Sequence, residues 1–302
     1  MAGPERPTSE VETMAYRPGR LPSPLGPLIH QIGYQNRVFR RVPISAFFTL
    51  AFPLMFLLLF AAISGEFKIG IGGGREVSAA QFYAPGLAVF TAASATYTNI
   101  GISTAITRDE GILRRVRGTP LPRWVYLGGV VGSGVSIAVF GVLLMLVVGM
   151  IVYGVEVDLD RVLPAVVTFV VGTASFAMLG LALAAVAPSG RSSPALAQAT
   201  MLPMAFVSDV FFPLGDDPVR WLQVVGDVLP LKAFVEAFFT PFDPYQSGSG
   251  WEPALLLRMA LWGVLGALVA ARRFRWEPSV GSGDTGGSGR SRRSRRPEAA
   301  DV

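Results

Sequence analysis

The cysteine, histidine and lysine content of the chain decides which chemistry it can carry out. The 302 residues contain no cysteine and one histidine, His30, which excludes thiolate zinc sites, iron–sulfur clusters and multi-histidine metal centres. Lysine occurs only at Lys68 and Lys232, and neither follows a glycine. The GxxxxGK[ST] loop that cradles nucleotide phosphates is therefore absent. We predict no cofactor in this chain, and any ATP that drives the protein must be bound by another polypeptide.

Hydrolytic and proton-transfer chemistry can be examined in the same way. The triplet Gly132-Ser133-Gly134 lacks the GxSxG frame of a serine hydrolase, so no nucleophile is predicted there. Asp209 is a single acid near the outer end of a predicted membrane span, so it cannot form an aspartyl dyad. A proton-coupled carrier uses such a carboxylate, usually with partners deep in the membrane. A capping or structural role for Asp209 is the alternative interpretation.

The apolar residues that must position any site lie in long uninterrupted runs. Apolar residues make up 51% of the chain, charged residues 16%, and the mean hydropathy is +0.47. A run of about eighteen or more apolar residues is typical of a helix that crosses a bilayer. We predict an all-α membrane protein in which six transmembrane helices cover residues 44–64, 83–107, 124–153, 164–187, 195–212 and 254–271.

The distribution of arginine predicts the orientation of these spans. One side, made of the N-terminus, the 108–123 and 188–193 loops and the segment after residue 271, holds 20 arginines and 9 acids. The other side holds 6 basic residues and 12 acids. Positive charge stays in the cytoplasm during insertion. We therefore expect a multi-pass plasma-membrane protein with both termini in the cytoplasm.

The segments outside the spans have distinct compositions. We expect residues 1–27, which are rich in proline, to be a disordered cytoplasmic N-terminus, and residues 277–302 to be a disordered arginine-rich tail without a specific nucleic-acid site. Residues 28–41 predict an amphipathic helix at the cytoplasmic interface, its arginines near lipid phosphates; a soluble helix that only anchors the first span is the alternative. Residues 218–228 and 230–240 predict two short external helices separated by Pro230.

Two further patterns are candidates for function. The second span carries polar residues on one stripe, with Thr91, Asn99 and Ser103 at multiples of four. This stripe indicates either interhelical packing or one wall of a solute pathway. The loop TRDEGILRRVRGTPLPRW, residues 107–124, places acids before basic residues, in the order that favours a short helix dipole. It predicts a rigid cytoplasmic helix to which a soluble partner can bind. The alternative is that its arginines only fix the orientation of the neighbouring spans in the membrane.

With these segments placed, residues 28–276 resemble the membrane subunit of an ABC-2 type transporter, close to the daunorubicin-type drug exporter permeases. The resemblance rests on three segments in order: RVFRRVPISAFFTLAFPLMFLLLF, TRDEGILRRVRGTPLPRWVYL and VFFPLGDDPVRWLQVVGDVLPLKAFVEAF. It implies a type V exporter-like architecture of six spans per subunit, with re-entrant helices between spans 5 and 6. It also implies two permease subunits per pore, as a homodimer or a heterodimer, and two separate cytoplasmic ABC ATPase subunits.

The resemblance also implies roles for individual residues. An ATPase-coupling helix is implied at Asp109, Glu110, Gly111, Arg114 and Arg115. An extracellular gate region is implied at Phe211, Phe212, Pro213, Leu229 and Pro230. The implied function is ATP-driven export of an amphipathic small molecule such as a drug, an antibiotic or a lipid-like compound. The rival hypotheses are a proton-coupled carrier that uses Asp209 and a non-transporting subunit that scaffolds an ATPase complex.

Overall fold

The structure, a computed structural model, describes residues 25–64, 68–71, 74–118, 121–212 and 220–274. This part of the chain is mostly helical. Two π-helical segments, Phe47–Ala51 and Ser94–Thr98, join consecutive helices. The helices are α1 (Leu25–Arg40), α2 (Pro43–Ala46), α3 (Phe52–Ser64), α4 (Ala79–Ala93), α5 (Asn99–Asp109), α6 (Ile112–Arg117), α7 (Arg123–Tyr153), α8 (Val162–Val186), α9 (Ser193–Val207), α10 (Arg220–Val228), α11 (Pro230–Phe239) and α12 (Pro253–Arg273).

Four stretches in the described residues are long and apolar enough to cross a membrane. They are Pro43–Ile63, Trp124–Tyr153, Leu159–Val186 and Pro253–Arg273. They coincide with the first, third, fourth and sixth predicted spans. The agreement has a local cause. A long apolar run forms a helix because a helix satisfies all backbone hydrogen bonds within the segment itself, without partners from elsewhere in the fold.

The second and fifth predicted spans have a different form from the sequence expectation. The predicted span 83–107 consists of α4, a five-residue π segment and α5. The first span is interrupted in the same way, but 83–107 is not among the four stretches that are long and apolar enough to cross a membrane. The predicted span 195–212 contains α9, which has 15 residues and ends at Val207. Asp209 follows in a turn with φ of 56°, a left-handed backbone conformation that stops the helix.

The chain also contains a short β-hairpin that the all-α prediction did not include. Strands β1 (Lys68–Gly70) and β2 (Glu76–Ser78) pair antiparallel, with Ile69 opposite Val77. Ser78 then caps α4, because its hydroxyl accepts a hydrogen bond from the Gln81 backbone N–H. The hairpin therefore lies next to the start of α4.

Gln81 holds this end of the bundle together. Its amide nitrogen donates to the carbonyl oxygens of Glu156 and Phe242, at 2.7 Å each, and its amide oxygen accepts from the Glu156 N–H at 2.9 Å. The side chain is buried, and these three hydrogen bonds offset the cost of removing its amide group from water. It connects the start of α4, the end of α7 and the 3₁₀ turn after α11.

Helix α8 packs closely against several neighbouring helices because glycines, which have no side chain, lie where the helices cross. A Cβ on Gly180 would lie 2.6 Å from the Thr96 carbonyl oxygen, and a Cβ on Gly266 of α12 would lie 2.8 Å from the Leu179 nitrogen. Such contacts let helix backbones approach within van der Waals distance, as small residues do between membrane helices. The carbonyls of the π segment therefore meet α8 directly.

The segments outside the spans agree only in part with the expected boundaries. Helix α1 begins at Leu25, three residues before the expected start of the interfacial helix at residue 28. Helices α10 and α11 lie where two short helices are predicted, and Pro230 is the first residue of α11. The expected disorder of residues 1–27 and 277–302 concerns segments that lie, apart from residues 25–27, outside the described residues.

Candidate coupling and transport site

The loop between α5 and α7 forms a tight turn and then the short helix that the sequence predicts. Gly111 has φ of +72°, a value that glycine adopts without strain, and its N–H donates to the Arg108 carbonyl at 3.0 Å. This turn redirects the chain from α5 into α6. Glu110, Arg114 and Arg115 are exposed, so their charges face outward from the bundle.

One apolar residue anchors α6 to the bundle. Leu113 is fully buried in a cluster with Ile100, Tyr126 and Leu181. The other members of this cluster come from α5, α7 and α8, so a displacement of α6 disturbs a cluster that three helices share. Because packed side chains have discrete arrangements, such a contact transmits motion between elements.

Asp109, which the resemblance groups with the exposed residues, is instead held inside the protein. Its side chain is 12% exposed and the neighbouring Arg108 side chain is 6% exposed. The Arg108 guanidinium donates to the Asp109 carboxylate at 3.1 Å, and the same carboxylate accepts from the Gly190 N–H at 2.6 Å. Of the five expected coupling residues, three present charge at the surface, while Gly111 shapes the turn and Asp109 makes internal contacts.

A cavity of about 500 Å³ lies beside this loop, between α1, the first π segment, α5, α7 and α9. Asn99, Ser103 and Gln198 contribute polar side chains to its wall, and Glu110 lies at its edge. Apolar side chains of α1 and α5 cover much of the remaining wall. A cavity of this size, with a few polar groups among apolar ones, suits a small amphipathic molecule.

The expected pathway residues separate into two groups in the structure. Asn99 and Ser103 line the cavity, whereas Thr91 is fully buried and donates a hydrogen bond to the Leu87 carbonyl at 2.8 Å. Thr91 also lies against Gly141 of α7, where a Cβ would approach its methyl group to 2.4 Å. The single polar stripe of the sequence therefore contains a packing position and two cavity positions.

At the opposite end of the bundle, Phe211 joins three helices through its ring. Its centroid lies 5.7 Å from that of Phe56, 5.3 Å from that of Phe90 and 5.3 Å from that of Phe206. Phe211 is buried, whereas Phe212 is 56% exposed and stacks on Phe206. The contact with Phe90 is edge-to-face and those with Phe56 and Phe206 are tilted. Offset aromatic contacts of these kinds add stability beyond the area they bury.

The other expected gate residues occupy the junction between α10 and α11. Leu229 is half-buried and its N–H donates to the Gly226 carbonyl at 2.9 Å, which closes the turn. Pro230 is buried at the first position of α11, where its missing N–H costs no helical hydrogen bond. Pro213 lies outside the described residues.

Sequence reasoning missed the aromatic ladder that leads to Phe211. Phe48, Phe52, Phe56 and Phe60 follow one another at intervals of four along the π segment and α3, with neighbouring centroids 4.6 to 5.9 Å apart. The four-residue spacing is visible in the sequence and places these rings on one helix face. The contact between Phe56 and Phe211, 155 positions later in the chain, is set by the tertiary structure.

Asp209 is not electrostatically isolated, contrary to its description as a single acid. Lys232 of α11 forms an ion pair with Asp227 at 2.9 Å and lies 3.7 Å from Glu236. Burial lowers the pKa of the Lys232 ammonium, but its hydrogen bond to Asp227 and the field of Glu236 outweigh burial and raise that pKa. Asp209 adds to the negative field at Lys232. Three carboxylates therefore act on one ammonium group.

Comparison with known proteins decides the family of the chain. The family model described as ABC-2 type transporter matches residues 32–242, about two thirds of the sequence. This chain belongs to the ABC-2 type transporter family. The match begins within α1, includes the α5–α7 loop and helices α10 and α11, and ends in the turn after α11. No curated protein matches the chain at a significant level.

Membership of the family establishes the general nature of the protein. It is a multi-pass membrane permease subunit of an ABC transporter and not the ATPase. ABC-2 permeases pair with an ABC ATPase subunit, which binds the nucleotide. The permease therefore needs a surface through which the ATPase acts on its helices.

Proposed function

We propose that this permease is the membrane-spanning subunit of an ATP-driven exporter that moves an amphipathic drug, antibiotic or lipid-like compound out of the cell. The observation that carries the proposal is the cavity beside the α5–α7 loop, whose wall combines Asn99 and Ser103 with apolar side chains and reaches Glu110. A cargo held there lies next to the element on which the ATPase acts.

In this proposal the permease crosses the plasma membrane six times, with both termini in the cytoplasm. The α4–α5 stretch and α9 complete the four apolar spans, since each lies between two of them in the chain. Helix α1 lies at the inner membrane surface, where its arginines approach lipid phosphates. Helices α10 and α11 then form a re-entrant region on the outer side, between the fifth and sixth spans.

The ATPase contacts the exposed charges of the α5–α7 loop. Glu110, Arg114 and Arg115 provide these charges, and Gly111 sets the direction of α6. Closure of two ATPase subunits on ATP pushes α6, and Leu113 passes the push to α5, α7 and α8. ATP favours the outward-open state only by binding that state more tightly. Two permease subunits, identical or different, complete the pore.

On the outer side, release of cargo is controlled by the region around Phe211. Its ring contacts join the first, second and fifth spans of the proposed topology, so a tilt of any of them changes its packing. Phe212, Leu229 and Pro230 border the same region, and Pro213 belongs to it by sequence. We assign the extracellular gate to these residues.

The experiment that tests this function combines docking with transport. The permease is purified together with its ABC ATPase, and ATP-dependent uptake is measured in inside-out vesicles with rhodamine 6G as a drug-like probe and a fluorescent phosphatidylethanolamine as a lipid-like probe. Glu110→Lys combined with Arg114→Glu should abolish co-purification and uptake, because both charges of the contact are reversed. A matched control is Arg191→Glu on the neighbouring turn. Retention of ATPase and uptake in the double variant overturns the docking assignment, and uptake of neither probe by the parent overturns the cargo class.

A proton-coupled carrier that uses Asp209 is the second candidate, favoured by the carboxylates that surround Lys232. It predicts that Asp209→Asn abolishes probe uptake and that a protonophore does the same at constant ATP. The exporter proposal predicts uptake that persists with a protonophore and stops when ATP is depleted. The two outcomes are mutually exclusive.

A further inference from the structure

We propose that Arg108 and Asp109 are positioning residues that lock the α5–α7 loop to the turn between α8 and α9, so that α6, the C-terminal end of α8 and the start of α9 move together. The inference rests on the proposed ATP-driven function and assigns the transmission step within it. It removes Asp109 from the docking surface and gives a mechanical role to Arg108, which is not among the coupling residues that the resemblance implies.

The sequence explains why an arginine is needed at the end of α8. In a regular helix the Ala184 carbonyl would accept from the N–H four residues later, but that residue is Pro188, which has no N–H. Arg108 supplies the missing donor, with one terminal nitrogen 2.8 Å from the Ala184 oxygen and the other 2.9 Å from the Ala187 oxygen. Its positive charge also lies at the negative end of the α8 dipole.

Asp109 completes the link on the other side. One of its oxygens accepts from the Arg108 guanidinium at 3.1 Å, and the other accepts from the Gly190 N–H at 2.6 Å. Gly190 lies so close to α5 that a Cβ there would be 2.8 Å from the Ile106 Cα. This close approach of the turn to α5 therefore depends on glycine at position 190. The hydrogen bond from the Gly190 N–H is short and its acceptor is a carboxylate, and charge-assisted hydrogen bonds of this type are stronger than neutral ones.

The turn that receives this link is itself well braced. Ser189 and Ser192 hydrogen-bond to each other at 3.0 Å, and the fully buried Ser193 donates to the Gly190 carbonyl at 2.7 Å. Ser193 is also the first residue of α9. A displacement of Asp109 therefore reaches the start of α9 through two consecutive hydrogen bonds.

Burial separates this link from the docking surface. Arg108 and Asp109 are 6% and 12% exposed at their side chains, so a soluble partner reaches neither of them without opening the bundle. The charge of each side chain is compensated by the other side chain and by hydrogen bonds to backbone groups, as a buried charge requires. Loss of one partner leaves the other charge buried, and the loop and turn then separate.

The test measures whether the two elements move together. The chain contains no cysteine, so cysteines introduced in pairs carry the only spin labels on the permease. One pair, Ile112→Cys with Ala195→Cys, spans the proposed link; a second pair, Ile112→Cys with Leu159→Cys, reports movement of α6 relative to the far end of α8. Electron–electron distances are recorded for the complex with its ABC ATPase, with and without the ATP analogue AMP-PNP.

In the parent we expect AMP-PNP to change the 112–159 distance and to leave the 112–195 distance unchanged. In Arg108→Gln or Asp109→Asn, AMP-PNP should change the 112–195 distance as well, and stimulation of ATP hydrolysis by the permease should fall about tenfold, within the usual range of coupling free energies. Arg108→Lys should behave like Arg108→Gln, because one ammonium cannot replace a guanidinium that bonds two carbonyls and a carboxylate.

The control is Arg191→Gln, an exposed arginine on the same turn, which should behave like the parent. Asp109→Asn keeps the size of the side chain, so it remains informative when Arg108→Gln does not fold. A nucleotide-dependent change of the 112–195 distance in the parent, or its constancy in both variants, overturns the link alone. A 112–159 distance that ignores nucleotide in the parent overturns the proposed lever, and the link with it.

Discussion

The ring of Phe211 lies edge-on against the ring of Phe90, with the centroids 5.3 Å apart and the planes at 62°. The two residues are 121 positions apart in the sequence, one in α4 and the other after α9. Through this contact the end of α9 is attached to the most buried helix of the described bundle, in which fourteen of fifteen residues are buried. The contact therefore has consequences for stability as well as for the proposed gate.

Phe211→Ala should lower the free energy of unfolding by about 3 kcal/mol, because a buried ring is replaced by a cavity. The measurement is the thermal midpoint of the purified permease in detergent, followed by tryptophan fluorescence. Phe212→Ala is the matched control, since Phe212 is 56% exposed. Similar midpoints for the two variants would show that the contacts of Phe211 do not stabilise the fold.

Gly180→Ala should destabilise the permease by about 1 to 3 kcal/mol, as overpacking of a tight interface does. The new Cβ would lie 2.6 Å from the Thr96 oxygen and 2.8 Å from the Tyr97 oxygen, both backbone atoms that cannot rotate away. The yield of monodisperse protein and its thermal midpoint report the effect. Gly33→Ala in α1 is the control, because nothing lies within 4 Å of the added Cβ; a Gly180→Ala midpoint as high as that of the control would contradict the close packing of α8.

Glu236 should make stability depend on pH. Partial burial is the largest cause that raises the pKa of Glu236 above its ordinary 4.5, although the side chain is 41% exposed; the field of Lys232 opposes this shift only in part. A raised folded-state pKa contributes stability that is fully present below the unfolded pKa and is lost as pH rises through the folded value. Glu236→Gln, which is always neutral, should therefore have a higher thermal midpoint than the parent at pH 7.

The advantage of Glu236→Gln should disappear as the pH falls to about 4.5, because the parent carboxyl is then protonated too. Thermal midpoints of both proteins at several pH values between 4 and 8 measure this. Glu156→Gln removes a charge from a glutamate outside the cluster around Lys232 and serves as the control. A difference between parent and Glu236→Gln that stays constant over this range would rule out titration of Glu236 as its source.

Changes in the cavity wall should affect probe binding more than changes elsewhere on the polar stripe. Asn99→Leu or Ser103→Phe should weaken rhodamine 6G binding roughly tenfold, since the first removes a hydrogen-bonding group from the cavity wall and the second fills the cavity. Fluorescence anisotropy with the purified permease gives the affinity. Thr91→Val is the control because Thr91 bonds to its own helix; equal weakening by all three would place the binding site elsewhere.

Much of the architecture could be predicted because its signals are local. Four apolar runs became four helical stretches of membrane-spanning length, and the short helices α6, α10 and α11 lie where capping and proline signals place them. The hydrophobic run, the helix dipole and the position of Pro230 each act within one or two turns. Family membership follows from the same ordered segments.

The candidate site was predictable only in part, because burial depends on distant partners. Asp109 and Glu110 are adjacent acids with the same local signal, yet one is held inside the protein and the other is exposed. Thr91 and Asn99 share a stripe, yet only Asn99 lines the cavity. A helical pattern gives the face of a residue but not the element that covers it.

By itself, the sequence determined where the four long apolar helical stretches form and that nucleotide chemistry belongs to another chain. Tertiary structure alone decided that Arg108 completes the hydrogen bonding left open by Pro188 on α8, and that Phe211 meets three helices. The reason is physical: propensity and hydrophobicity act over a few neighbouring residues, whereas an unsatisfied carbonyl or an unfilled gap is met by whichever side chain the fold brings within reach.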